Sequence, residues 1–110
     1  MFGGSPGVRD GGLLQSALDR PRNLYAYGDD PSLFEMAAAY CAGIVKNHPF
    51  VDGNKRSGLL AARAFLFMNG YLLEADEADE VITIVGLAAG EVEEAALAAW
   101  IEANSDAKPD

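Results

Sequence analysis

A chain of 110 residues has room for one domain and one modest core, so any site must sit on the rim of that core rather than between large domains. Half of the residues are apolar, yet no apolar run approaches a bilayer span and the N-terminus lacks a basic segment leading into an apolar stretch. The expectation is a soluble, cytoplasmic protein with no membrane contact. Eight Lys and Arg stand against 17 Asp and Glu, a formal net charge of −9, which argues against direct binding of a nucleic-acid backbone.

The opening MFGGSPGVRDGG is rich in Gly, has no apolar period and reads as loop. LLQSALDR predicts a short helix with Asp10 as its cap and Pro21 as its stop. Residues 21–31, PRNLYAYGDDP, read as a turn-rich connection: the alternation of Tyr25 and Tyr27 fits a small hairpin, and an irregular loop tucking two aromatics onto the core fits equally. The clearest helix is predicted from the N-cap and N1 pair Asp30-Pro31 through SLFEMAAAYCAGIVKN. Its stripe is Leu33, Phe34, Ala37, Tyr40, Cys41, Ile44 and Val45. Cys41, the lone cysteine, falls on that stripe and reads as a packed hydrophobe rather than a nucleophile. His48-Pro49 ends the helix, because a residue before proline is pushed out of the helical region.

The period resumes at Asn54 as NKRSGLLAARAFLFMN and stops at Gly70. Leu59, Leu60, Ala62, Ala64, Phe65, Phe67 and Met68 are apolar nearly all round, which predicts this helix as the buried centre of a bundle. YLLEADEADE supplies an extended link and an acidic helix start at Asp76 or Asp79, where negative charge favours the dipole, and VITIVGLAAG carries that helix to Gly90. EVEEAALAAWIEANS predicts a last amphipathic helix with Val92, Ala95, Ala96, Ala99 and Trp100 inward, and SDAKPD a frayed polar tail. The sum is an all-α domain whose irregular feature is the loop between its two best helices.

That loop lies in NHPFVDGNKRSG, residues 47–58. His48 is the only His, and its reference pKa of about 6.5 suits general-base work near neutral pH. Asp52 is a hard oxygen ligand of the kind that holds Mg²⁺ against phosphate oxygens. Gly53-Asn54 leads into a helix whose first amides have no intrahelical partner, and those amides with the helix dipole make an anion seat. Lys55 and Arg56 oppose the dipole at an empty site but become favourable once a polyanion lies across the same amides. Phe50 reads as an apolar wedge that fixes the loop. One His with one Asp is too few ligands for structural zinc, and Ser57 has no second base for a triad. The bland alternative is a loop in which His48 and Asp52 merely pair and Gly53 is an ordinary turn glycine.

HPFVDGNKRSG closely resembles the signature of the Fic/Doc superfamily, and the likeness extends through GGSPGVRD, LFEMAAAY, RAFLFMNGY and the AAGE turn, nearly the whole chain. The resemblance implies an all-α, Fic-type helical bundle over residues 1–110 as one domain, with the motif loop between two central helices and a small hairpin or flap. It also predicts that the helix which normally precedes the GG-x-PG segment is absent. Carried over, it makes His48 the base that activates a target hydroxyl and Asp52 the Mg²⁺ ligand, with Gly53, Asn54, Lys55 and Arg56 holding phosphates. Lys55-Arg56 directly after Asn54 is similar to the death-on-curing toxins of the superfamily. That form implies an ATP- and Mg²⁺-dependent protein Ser/Thr kinase that phosphorylates a target such as elongation factor Tu, stops translation and is countered by a Phd-type antitoxin. Two alternatives stay open: AMP transfer of the Fic type, which Gly53-Asn54 permits, and a catalytically silent module that only binds antitoxin.

Overall fold

Helix α2 (Leu33–Asn47) organises the molecule. It opens with a reciprocal cap: the Ser32 hydroxyl accepts from the Glu35 backbone N–H at 3.1 Å, and the Ser32 N–H donates to the Glu35 carboxylate at 2.8 Å. The helix therefore starts later than the Asp30-Pro31 pair suggests, and Asp30, at φ 54°, lies outside it. The computed structural model describes residues 11–27, 30–47 and 53–109. Among these, α1 (Gly11–Tyr27), α3 (Asn54–Met68), β1 (Tyr71–Leu73), α4 (Glu77–Ala88), α5 (Glu94–Ala103) and β2 (Ser105–Ala107) complete a mostly helical, Fic-type fold.

Helix α2, not α3, is the buried centre. Ala37, Ala38, Ala39, Cys41, Ala42, Ile44 and Val45 are all buried, and α1, α3 and α5 pack around them. Small side chains let three neighbours approach one axis. Helix α3 buries only Leu59, Ala62 and Leu66 among its large or aliphatic positions, whereas Leu60, Phe67 and Met68 stay exposed. An apolar residue on every face did not mean burial on every face, because α3 packs on α2 along one side and only partly on β1 and α4, leaving Leu60, Phe67 and Met68 to solvent.

Two contacts set the spacing of the first three helices. A Cβ added at Gly58 would lie 2.8 Å from Val45 Cγ2 and 2.9 Å from the Cys41 carbonyl oxygen, so α3 rests directly on the α2 backbone. One added at Gly43 would lie 3.1 Å from the Ala17 carbonyl oxygen, so α1 approaches α2 almost as closely. Cys41 sits in this interface; burial, with the negative charge of Glu94 adding to it, pushes its thiol up to about 12.

Helix α1 corrects two expectations. It runs through Pro21 without stopping and reaches Tyr27, so residues 21–27 form neither a hairpin nor an irregular loop. An internal proline costs roughly 3 kcal/mol of helix stability. Burial of Ala17 and Pro21 opposes that cost, as does the Asn47 side-chain amide, which donates to the Leu13 carbonyl at 3.2 Å. Tyr25 is exposed rather than tucked inward.

The extended segment after Gly70 is β1, which pairs antiparallel with β2 in the register Tyr71↔Ala107, Leu72↔Asp106 and Leu73↔Ser105. The SDAKPD segment is thus not a frayed tail over residues 105–108. Glu74 N–H donates to the Asn104 carbonyl at 2.9 Å, Lys108 N–H to the Gly70 carbonyl at 2.7 Å, and the Lys108 ammonium lies 3.9 Å from the centre of the Phe67 ring.

Of the two candidate starts, Asp76 and Asp79, it is Asp76 that caps α4, accepting from the Asp79 N–H at 3.3 Å. The inward face of α5 is Leu97, Ala98 and Ile101, while Ala95, Ala96 and Ala99 face solvent. Centring that face on Trp100 rotates it wrongly. The indole packs at the core's rim because its N–H needs a polar partner, the Asp79 carboxylate at 2.9 Å.

Gly58→Ala is expected to destabilise the fold by about 1–2 kcal/mol despite the better helix propensity of Ala, because one of the clashing atoms is backbone; urea unfolding measures this. Cys41 is expected to resist alkylation at about pH 8 in the native protein and to react on denaturation.

Candidate functional site at the N-terminus of helix α3

Helix α2 ends at Asn47 and α3 begins at Asn54, so the motif segment joins two helices that pack side by side. His48, Phe50 and Asp52 lie outside the described residues. Gly53 is the N-cap of α3 at φ 74°, ψ 20°, a left-handed conformation, with no side-chain cap bond, and its carbonyl accepts the Ser57 N–H at 2.8 Å. The contrast with α2 and α4 is direct: those helices close their first turn with Ser32 and Asp76, whereas α3 has no acidic residue in its first turn. Within that first turn no carboxylate competes for the N-terminal amides of α3.

Of the four predicted phosphate-holding residues, the fold separates one from the next two. Asn54 is turned inward, 9% exposed, whereas Lys55 and Arg56 are exposed. Among the described residues neither cation makes an ion pair, in a chain where acids outnumber Lys and Arg by 17 to 8. The two cations head a cleft of about 360 Å³ between α3 and α4, within the size range of small-ligand sites. One wall is the α3 stripe Arg56, Leu59, Leu60 and Arg63, spaced three or four residues apart; the other is Glu77, Glu80, Val81, Ile84 and Val85 of α4.

Sequence reasoning missed the ion pair that closes this cleft. Arg63 donates through Nη1 and Nη2 to the two carboxylate oxygens of Glu80 at 2.9 and 2.7 Å, and through Nε to the Leu73 carbonyl at 3.2 Å. Both side chains are partly buried, and the bond to Glu80 raises the guanidinium's proton affinity further, against the opposing effect of burial. The only prior signal is that Arg63 falls seven residues, two turns, after Arg56; nothing in the sequence pairs it with Glu80. Among the described residues no group of three His, Cys, Asp or Glu could hold a metal by itself.

The model of the Fic/DOC family matches residues 1–66, which span the motif loop and most of α3. This chain belongs to the Fic/DOC family. It is 46% identical over 76 residues to "Toxin Doc" of Mycolicibacterium smegmatis, a match covering 68% of this chain and 58% of that protein. It is 35% identical over 92 residues to "Protein kinase doc" of Escherichia phage P1, covering 83% of this chain and 71% of that protein. The family match takes in one wall of the cleft, whereas Glu80, the rest of α4 and the β1–β2 ribbon lie beyond residue 66. No helix among the described residues is long and apolar enough to cross a membrane.

Gly53→Ala tests the helix entry. Among the described residues a Cβ there would meet nothing within 4 Å, so the expected cost is conformational: about 1–2 kcal/mol for the left-handed backbone, read by urea unfolding, with Gly53→Asn costing less.

Proposed function

We propose that this chain is a Doc-type toxin that transfers the γ-phosphate of ATP to a Ser or Thr hydroxyl of a protein, elongation factor Tu being the first target to try. The carrying observation is the start of α3: a left-handed glycine at the N-cap and a first turn with no acid, bearing two exposed cations with no ion-pair partner among the described residues. Cations at that end of a helix are unfavourable alone and favourable with a polyanion, so the arrangement suits phosphates. The name of the phage P1 relative, a protein kinase, supports the same reading.

In this reading the amides from Gly53 onward, with Lys55 and Arg56, hold the phosphate oxygens and neutralise charge that shifts during transfer, and Asn54 anchors the turn from below. His48 accepts the proton of the target hydroxyl as its oxygen bonds to the γ-phosphorus. The bond from that phosphorus to the bridging β–γ oxygen breaks, and ADP leaves. Little covalent work falls to the protein; positioning and electrostatics carry the rate. Asp52 would hold Mg²⁺ jointly with phosphate oxygens, which suits an ion that keeps few protein ligands, and the bound ion would supply charge neutralisation. Phe50 would wedge the loop against the core. A Phd-type antitoxin is the expected partner, and the cytoplasm is where such a target and ATP meet.

The test is intact-mass analysis of elongation factor Tu after incubation with the chain, ATP and Mg²⁺. A phosphate-sized increment is expected, and His48→Ala should slow its appearance by roughly 10²-fold or more. Lys55→Ala should weaken ATP use by about 10-fold, the value of one charge-assisted contact. An AMP-sized increment would replace the kinase reading with AMP transfer. A folded chain that modifies nothing and binds no nucleotide would leave the silent antitoxin-binding module.

A further inference from the structure

The cleft beside the proposed phosphate site contains a contradiction. Its head carries Lys55 and Arg56, but its α4 wall carries two carboxylates, Glu77 and Glu80. A carboxylate free to swing along that wall would either pair with the cations or repel a polyanion lying on them. Glu80 is not free. Both of its oxygens are taken by Arg63, in a parallel two-bond arrangement at 2.9 and 2.7 Å, and Arg63 is itself fixed by its third contact, to the Leu73 carbonyl. Arg63 belongs to α3, the same helix as the cations, and stands about 10 Å along it from Arg56 at 1.5 Å per residue. The carboxylate is thereby held at Arg63 rather than at the cations, and among the described residues neither Lys55 nor Arg56 makes an ion pair.

We propose that Arg63 is a positioning residue for the anion site: by clamping the Glu80 carboxylate it keeps a negative charge away from Lys55 and Arg56. This rests on the reading that those two residues receive phosphates. It differs from a purely structural role for the pair, in which Arg63 and Glu80 matter only because they join α3 to α4. The pair's partial burial adds weight, since a half-desolvated carboxylate that loses its partner must move toward water or another cation. Asp79, in the same turn, is engaged by Trp100; Glu77 is exposed, so water and salt screen its charge, whereas Glu80 is the more buried carboxylate and the less screened one.

The two roles separate because the pair can be broken from either side. Arg63→Met removes the clamp and leaves the charge; Glu80→Gln removes the charge and leaves Arg63. If the pair merely joins two helices, both variants weaken nucleotide binding alike. If Arg63 acts by restraining charge, only Arg63→Met does.

Titration of Mg²⁺-ATP into the folded full chain and each variant by calorimetry decides it, with circular dichroism and thermal melting recorded on the same samples. The expected result is a Kd raised roughly three- to tenfold in Arg63→Met, the order of one extra charge acting on a polyanion, and fading as salt rises from about 0.05 to 0.5 M. Glu80→Gln should bind as tightly as the parent chain or tighter, although it melts lower. Equal weakening in both variants, or none in Arg63→Met, overturns the proposal. A parent chain that binds no nucleotide while Lys55 and Arg56 remain exposed overturns the phosphate-site reading itself, and the role of Arg63 falls with it. Should Arg63→Met fail to fold, Glu80→Gln still decides: loss of binding there is compatible only with the structural role.

Discussion

The close seating of α3 on the α2 backbone is the constraint from which the rest of the molecule follows. With Gly58 against the Cys41 carbonyl and Val45, the two helix axes have one allowed separation, and the first turn of α3 is held only four residues away from that contact. The motif loop therefore bridges two ends whose positions the core has already chosen. Helix α2 can serve this way because its own buried side chains are mostly Ala, which lets α1 and α5 close around the remaining faces and burial of one helix support three interfaces. A larger residue at any of these positions would have filled space that a neighbouring helix needs.

Charge is distributed over this frame with a consistent local logic and one reversal. Helix α4 begins with Asp76, Glu77, Asp79 and Glu80, and α2 with Glu35, where the dipole favours acids. Helix α3 begins with Lys55 and Arg56 instead. A protein with a net charge of −9 has many acids to place, and leaving the first turn of α3 free of them makes it the one helix start among α2 to α5 with cations and no acid. A site that breaks a rule obeyed by its neighbours is where a ligand is expected to supply the missing term.

How much of this was legible beforehand depended on whether a signal was local. The end of α2 at Asn47, the start of α3 at Asn54 and the acidic start of α4 are governed by residues within one turn, and were readable from proline chemistry, the resumed apolar period and the dipole, the last only as Asp76 or Asp79. The Lys55-Arg56 anomaly was readable for the same reason. Long-range balances were not: α1 continues through Pro21 because its burial against α2 overrides a local stop, and residues 105–107 become a strand because β1 supplies the partner. The inner face of α5 was misplaced because a tryptophan looks like the centre of an apolar face, whereas its N–H draws it to the rim beside Asp79. Arg63 and Glu80 are 17 positions apart on different helices, and no periodicity within either helix encodes their meeting.

The β1–β2 ribbon gives the last link between distant sequence and the cleft. Leu73 buries its side chain in the core while its carbonyl receives Arg63 Nε, so the strand fixes the guanidinium through a donor that Glu80 does not use. The strand is in turn held by residues 105–107 and by the two flanking backbone bonds at Glu74 and Lys108. Three residues near the end of the chain thus help to determine where a carboxylate sits on the wall of a cleft whose head is at residue 55. A fork with two bonds to a carboxylate and one to a backbone carbonyl has little rotational freedom left, which a single lysine contact could not provide. The geometry at this point is specific to arginine: its planar donors meet an acid from α4 and a carbonyl from β1 together, and join three elements through one side chain.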